Sequence, residues 1–241
     1  MKIAHISDIH YSKSWMFLRD LFQRCLAMVN EEKPDVVVIT GDVTDFGLVA
    51  EFEGVHRALE ELAAPYFIVP GNHDARHEGY KKFEQFFGDR FFARHHAGYT
   101  FVGIDSSEPD IDEGHVGREQ LRWLEDHLSP RAIVFLHHHL VPIPNTGRER
   151  NVLVDAGGVL KMLVAHRVPL VLSGHKHVPW VWNLNGMAVS TAGTASCERT
   201  GAFQSFNLIE IEGQHRTIDT VNIATGERIH RVVEPAGGHE I

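Results

Sequence analysis

Five short polar clusters carry the residues that could do chemistry: Asp8-Ile9-His10, Gly41-Asp42-Val43-Thr44-Asp45, Gly71-Asn72-His73-Asp74, His137-His138-His139 and Gly174-His175-Lys176-His177. Their side chains are carboxylate, amide and imidazole, with no thiolate. That donor set suits manganese, iron, zinc or cobalt better than a soft-metal centre. The number of donors exceeds what one tetrahedral ion needs, which points to two ions. Taken singly, each cluster also reads as turn chemistry, since Gly, Asn and Asp are turn formers. Their joint recurrence, each just after an apolar run, is what a turn alone does not explain.

The elements that must position them follow from hydrophobic period. Apolar, β-branched runs near residues 3–7, 35–40, 66–69, 99–104, 132–136 and 169–172 read as strands. Helix-period segments at 14–32, 48–62, 78–87, 117–127 and 158–165 separate them. Trp15, Leu18, Phe22, Cys25 or Leu26, and Val29 fall on one face of the first helix, and Pro34 ends it. This alternation implies parallel strands joined by helical crossovers. In such sheets, functional groups gather outside the carboxyl ends of the strands, so the clusters converge on one rim. After His177 the pattern changes. Residues 180–182, 187–191, 203–212 and 215–221 read as strands with tight turns at Asn185-Gly186 and Glu212-Gly213. Trp180 and Trp182 share one face of a strand and are expected in the core. The front is α/β and the back is β-rich (residues 178–233), expected as two packed sheets in one domain over residues 1–241.

Composition narrows the function classes. The 241 residues hold 23 Lys+Arg against 32 Asp+Glu, a net charge of -9, so no nucleic-acid polymer is expected as a partner. Cys25 and Cys197 are too few for a disulfide framework. No apolar run is long enough for a signal peptide or a membrane span, and the expected location is the cytoplasm. Histidine is the surplus, with 18 residues.

The order D-x-H, G-D-x-x-D, G-N-H-D, H, G-H-x-H resembles the calcineurin-like metallophosphoesterase superfamily. Residues 41–59 (GDVTDFGLVAEFEGVHRAL), 69–74 (VPGNHD) and 117–124 (GREQLRWL) look like its bacterial class III cyclic-nucleotide phosphodiesterase branch. The resemblance spans residues 2–190. It implies a four-layer α/β/β/α sandwich with two mixed β-sheets and a dinuclear centre of manganese, iron or zinc. Carried over by position, Asp8, His10 and His177 bind the first ion. Asn72, His137 and His175 bind the second, and Asp42 bridges them. His73 meets the phosphate as the catalytic imidazole, Asp74 orients its ring, and Asp45 fixes the loop. The branch commonly has His-His-Pro-Pro at the fourth motif. Here His137-His138-His139-Leu140-Val141-Pro142 stands there, so His137 is the expected ligand and His138 the alternative.

The expected activity is hydrolysis of small phosphodiesters, cyclic nucleotides among them. A water bridging two ions loses a proton near neutral pH and attacks phosphorus. Phosphomonoester or nucleotide-lipid pyrophosphate hydrolysis on the same centre is the alternative, and an inactive binding or scaffold relative the third reading. The partner is then a small phosphoester, with no membrane and with a homodimer left open. Arg148 and Arg150 are expected in a solvated loop that could also clamp substrate. Asp105-Ser106-Ser107 ends a strand and is a candidate lining of the site that no spacing requires.

Overall fold

The structure is a computed structural model and describes residues 1–147 and 152–235. Arg148, Glu149 and Arg150 lie outside the described residues. Twelve strands and five α-helices are formed among the described residues: β1 (Lys2–Ile6), α1 (Arg19–Glu32), β2 (Val36–Thr40), α2 (Val49–Leu59), β3 (Tyr66–Val69), α3 (Gly79–Phe87), β4 (Phe92–His96), β5 (Tyr99–Gly103), α4 (Gly117–Glu125), β6 (Ala132–Phe135), α5 (Ala156–Ala165), β7 (Leu170–Ser173), β8 (Trp180–Leu184), β9 (Met187–Thr191), β10 (Ser205–Glu212), β11 (His215–Asn222) and β12 (Arg228–Val233).

They make two six-stranded mixed sheets, ordered β12-β11-β10-β1-β2-β3 and β4-β5-β6-β7-β9-β8. In the first, β1, β2 and β3 are parallel and β10 runs antiparallel to β1. In the second, β5, β6, β7 and β9 are parallel.

Side-chain alternation along each strand builds the layers. Val37 and Ile39 of β2 face α1 and α2 with Phe22, Leu26, Phe52 and Val55. Val36 and Val38 face the opposite way and meet Ile133, Phe135, Leu170 and Leu172 of the second sheet. Ala132 and Val134 of β6 face α4 and α5 with Leu124, Val159 and Leu163. Three apolar interfaces therefore separate four layers, helix, sheet, sheet and helix. Both faces of each parallel strand are covered, which is why these strands lack polar alternation.

Three expectations change. Helix α1 starts at Arg19, not near residue 14. The Ser12 and Ser14 hydroxyls accept the backbone N–H groups of Ser14 and Met16 (both 3.2 Å), local bonds that compete with helix formation. Trp15, placed on the helix's apolar face, is instead 78% exposed. Two strands carry no clear sequence signal, β4 (FARHH) and β12 (RIHRVV). Both are edge strands, half solvated and free to carry charge. Trp182 joins the edge of the α4–α5 core and its indole N–H donates to the Pro142 carbonyl at 3.1 Å.

Candidate metal centre

Each motif leaves the carboxyl end of a strand and turns at once. Asp8, His10, Asp42, His175 and His177 all have positive φ, between 49° and 73°. Non-glycine residues rarely adopt this region, and its strain gathers at functional sites. The turn sends each side chain back over the sheet ends. Close backbone approach comes from glycine. A Cβ on Gly174 would lie 1.9 Å from the Ser7 hydroxyl and 2.5 Å from the Asp8 carboxylate. Gly41, at φ +81°, would place one 2.6 Å from the Gly71 nitrogen.

The donor atoms fall into two sets. In one, His10 Nε2 and His177 Nε2 are 3.1 Å apart, and Asp8 Oδ1 is 3.3 Å from His177 Nε2. In the other, His137 Nε2, His175 Nδ1 and Asn72 Oδ1 are mutually 3.1 Å apart. Asp42 Oδ2 stands between the sets, 3.6 Å from His10 Nε2 and 3.4 Å from His137 Nε2.

These spacings test whether metal fits. Adjacent ligands of one ion, each bound at about 2.0–2.2 Å, stand roughly 3–3.5 Å apart. The orientations agree. His137 Nδ1 donates to the Thr40 carbonyl at 2.7 Å, leaving Nε2 to face the cluster. The Asn72 amide nitrogen donates to Asp112 at 3.2 Å, which turns its oxygen inward. With His137 neutral and His175 protonated on Nε2, three lone-pair atoms face one another and cannot be satisfied by hydrogen bonds among themselves. A cation satisfies them, so the residues fit the group.

Charge agrees with geometry. Burial holds His10 down to about 4, and burial with the neighbouring His138 and His137 holds His175 well below the ordinary imidazole range. Both are neutral near pH 7, the form that ligates. Burial opposes ionisation of Asp42, but His137, His73 and His10 hold it well below the carboxylate range. Burial also opposes a charge on His137, yet the Asp42 carboxylate lifts it to about 9. A proton there neutralises part of the buried negative charge, the same demand that a cation would meet.

His138 lies close to His137 and His175, but its ring nitrogens have other partners. Its Nδ1 lies 2.9 Å from the Ser106 hydroxyl and its Nε2 3.1 Å from the Asp112 carbonyl. Both nitrogens are engaged in fixing loops, and His137 faces the cluster instead. His139 is fully buried and its ring lies over His175, 5.8 Å between centroids.

The expected pairing of Asp74 with His73 is corrected. The Asp74 carboxylate accepts bonds from Gly71 N (2.9 Å), Val43 N (3.2 Å), Thr44 N (2.8 Å) and Thr44 Oγ1 (2.7 Å). Those four buried donors use up its acceptor capacity and tie two motif loops together. Asp45 takes the place beside the ring. His73 Nδ1 donates to the Asp45 carbonyl at 2.6 Å and lies 3.5 Å from Asp45 Oδ1. The same carboxylate oxygen is 3.4 Å from His10 Nδ1. Asp45, expected to fix the loop, also meets His10 and His73, which folding brings to it. Asp74→Ala leaves three buried amides without an acceptor. It is expected to cost about 2–4 kcal/mol, read as a lower Tm in thermal unfolding.

Arg199 escapes the motif pattern altogether. It lies in the loop before β10, pairs with the Asp45 carboxylate, and places Nη1 3.1 Å from His73 Nε2. Arg76 pairs with Asp112 at 2.6 Å on the other side of the ring. With Asp42, Asn72, His73, His175 and His177, Arg199 lines an open cavity of about 510 Å³. No spacing rule points to it, since its partner Asp45 is 154 residues away. Cys197 also approaches His10 and His177. Burial pushes its thiol up to about 12.

The calcineurin-like phosphoesterase profile matches residues 1–179. The chain belongs to that family, and is a phosphoester hydrolase. It is 29% identical over 200 residues to a glycerophosphodiester phosphodiesterase from Enterobacter lignolyticus, covering 73% of this chain and 71% of that one. It is 26% identical over 266 aligned positions to a cAMP/cGMP dual specificity phosphodiesterase from Mycobacterium tuberculosis, covering 97% and 83%. A dimetal phosphatase from Danio rerio superposes with a TM-score of 0.73 over 98% of this chain and 99% of that one, at 14% identity. No helix among the described residues is long and apolar enough to cross a membrane.

Proposed function

We propose that this phosphoesterase hydrolyses small phosphodiesters, cyclic nucleotides and glycerophosphodiesters being the substrate classes of its named relatives. The observation that carries the reading is the pair of donor sets meeting at Asp42. Asp8, His10 and His177 would hold one divalent ion, Asn72, His137 and His175 the other, and Asp42 both. Manganese, iron and zinc match this nitrogen and oxygen donor set. When bound, the two ions supply charge neutralisation for the phosphate and acidify a water near neutral pH.

The remaining chemistry belongs to the chain. Asp45 anchors Arg199 and His73 side by side at the cavity wall. His73 Nε2 accepts from Arg199 at 3.1 Å in this structure. A phosphate that draws the guanidinium away frees Nε2 to carry the proton for the leaving oxygen, its Nδ1 being held by the Asp45 carbonyl. Burial lowers the proton affinity of His73, but the Asp42 and Asp45 carboxylates raise it above the ordinary range. Arg199 binds a non-bridging phosphate oxygen and draws an anion into an otherwise acidic protein. Arg199→Ala is expected to raise KM for a diester by about tenfold, with bound metal unchanged. An unaltered KM would remove Arg199 from substrate binding.

The deciding experiment is a metal-reconstituted screen over diesters, monoesters and pyrophosphates. The reading requires diester turnover to exceed the other two. Turnover of monoesters alone would replace it with a phosphomonoesterase.

A further inference from the structure

A second cavity, of about 750 Å³, lies at the opposite pole of the sandwich. The motifs occupy the carboxyl ends of β1, β2, β3, β6 and β7. This cavity is lined from the other ends: Tyr99 opens β5, Arg131 precedes β6, Pro169 precedes β7 and Met187 opens β9. The β10–β11 turn supplies Gln214, and β11 supplies Arg216. Strands of four or five residues, at about 3.3 Å per residue, separate the two poles by roughly 15 Å.

Its charge is out of character for this chain. Arg131, Arg167 and Arg216 line it, and no Asp or Glu does among the described residues. Arg216 is only 7% exposed. Its Nη1 donates to the Gly186 carbonyl at 3.1 Å, while its buried Nε has no partner. Arg131 reaches only the Gly98 carbonyl, at 3.3 Å, and Arg167 at the mouth makes no side-chain bond among the described residues. A buried guanidinium without a carboxylate is costly. Arg216 is such a group, and with the exposed Arg131 and Arg167 at the rim of the same cavity, in a protein of net charge -9, it calls for an anion. Burial already holds the Arg216 guanidinium below its ordinary range, as expected for a cation that lacks its counter-charge.

The walls narrow the ligand. Tyr99, Val168, Leu184 and Met187 give an apolar side large enough for a ring system, and the volume falls within the span of small-molecule sites. Guanidinium forks match phosphate oxygens in pairs. We infer that this cavity is a second ligand site, binding a phosphate monoester dianion attached to an apolar ring, of the nucleoside monophosphate class.

The test uses the full chain with adenosine 5′-monophosphate and inorganic phosphate as probes. Calorimetry is expected to show saturable binding of the nucleotide, with inorganic phosphate weaker and competing. Hydrogen exchange is expected to slow at residues 184–187 and 213–216 when the nucleotide is added. The R131Q/R167Q variant changes two exposed side chains, keeps its fold and diester turnover, and binds about tenfold or more weakly. Arg216→Gln is the stronger variant if it folds. Protection confined to residues 72–74 and 175–178 would place all binding at the metal rim and overturn the inference. Unchanged affinity in R131Q/R167Q, or displacement by succinate as effective as by phosphate, would also overturn it.

Discussion

Asp42→Asn is expected to lower diester turnover by about 10³-fold and to strip metal from both positions. Asp42 Oδ2 is the atom within reach of both donor sets, and the residue is 2% exposed. An amide keeps the shape but loses the charge that would balance two bound cations. Removing one partner of a buried charge pair costs about 3–5 kcal/mol, which converts to two to four decades of turnover or affinity. Oδ1 also accepts the His73 backbone N–H at 2.8 Å, so the substitution loosens the catalytic loop. Elemental analysis of purified protein beside initial rates checks the result. Full metal occupancy with unchanged rate would show that Asp42 does not bridge.

His73→Ala is expected to separate chemistry from metal binding. The ring touches Asp45 and Arg199, and its Nε2 belongs to neither donor set. Metal content should hold while kcat falls by about 10²–10⁴, the usual worth of a placed acid. The loss should depend on the leaving group. An alkoxide leaving group needs the proton and should show the full loss. An aryl oxide, already a weak base, should show much less. Equal losses for both would mean that His73 positions phosphate rather than supplying a proton. Asp45→Asn is expected to reproduce part of the effect, because it frees Arg199 and removes the carboxylate beside the ring.

Much of this centre was legible in the chain. A β-branched run followed directly by a polar cluster recurs five times, and parallel sheets put such clusters on one rim. That pattern brings Asp8, His10, Asp42, Asn72, His137, His175 and His177 to one rim, while their proposed division between two ions rests on the family resemblance. Strands covered on both faces, such as VVVIT in β2, announce themselves by composition. The edge strands β4 and β12 do not, since one side of each is solvated and its residues answer to no core.

What the chain alone could not reveal are relations between distant segments. Asp74 follows His73 directly, so adjacency favoured it as the orienting carboxylate, yet its oxygens are consumed by Gly71, Val43 and Thr44. Asp45 holds His73 because two strand ends lie side by side in the sheet. Arg199 arrives from beyond the last motif, and the arginine cavity gathers residues from both sheets at the far pole. Periodicity and motif order determine which side chains emerge at a strand end. They act along the chain and say nothing of which strand ends become neighbours. Packing across the chain decides which charge meets which. That choice depends on burial and on the close approach that Gly41 and Gly174 permit.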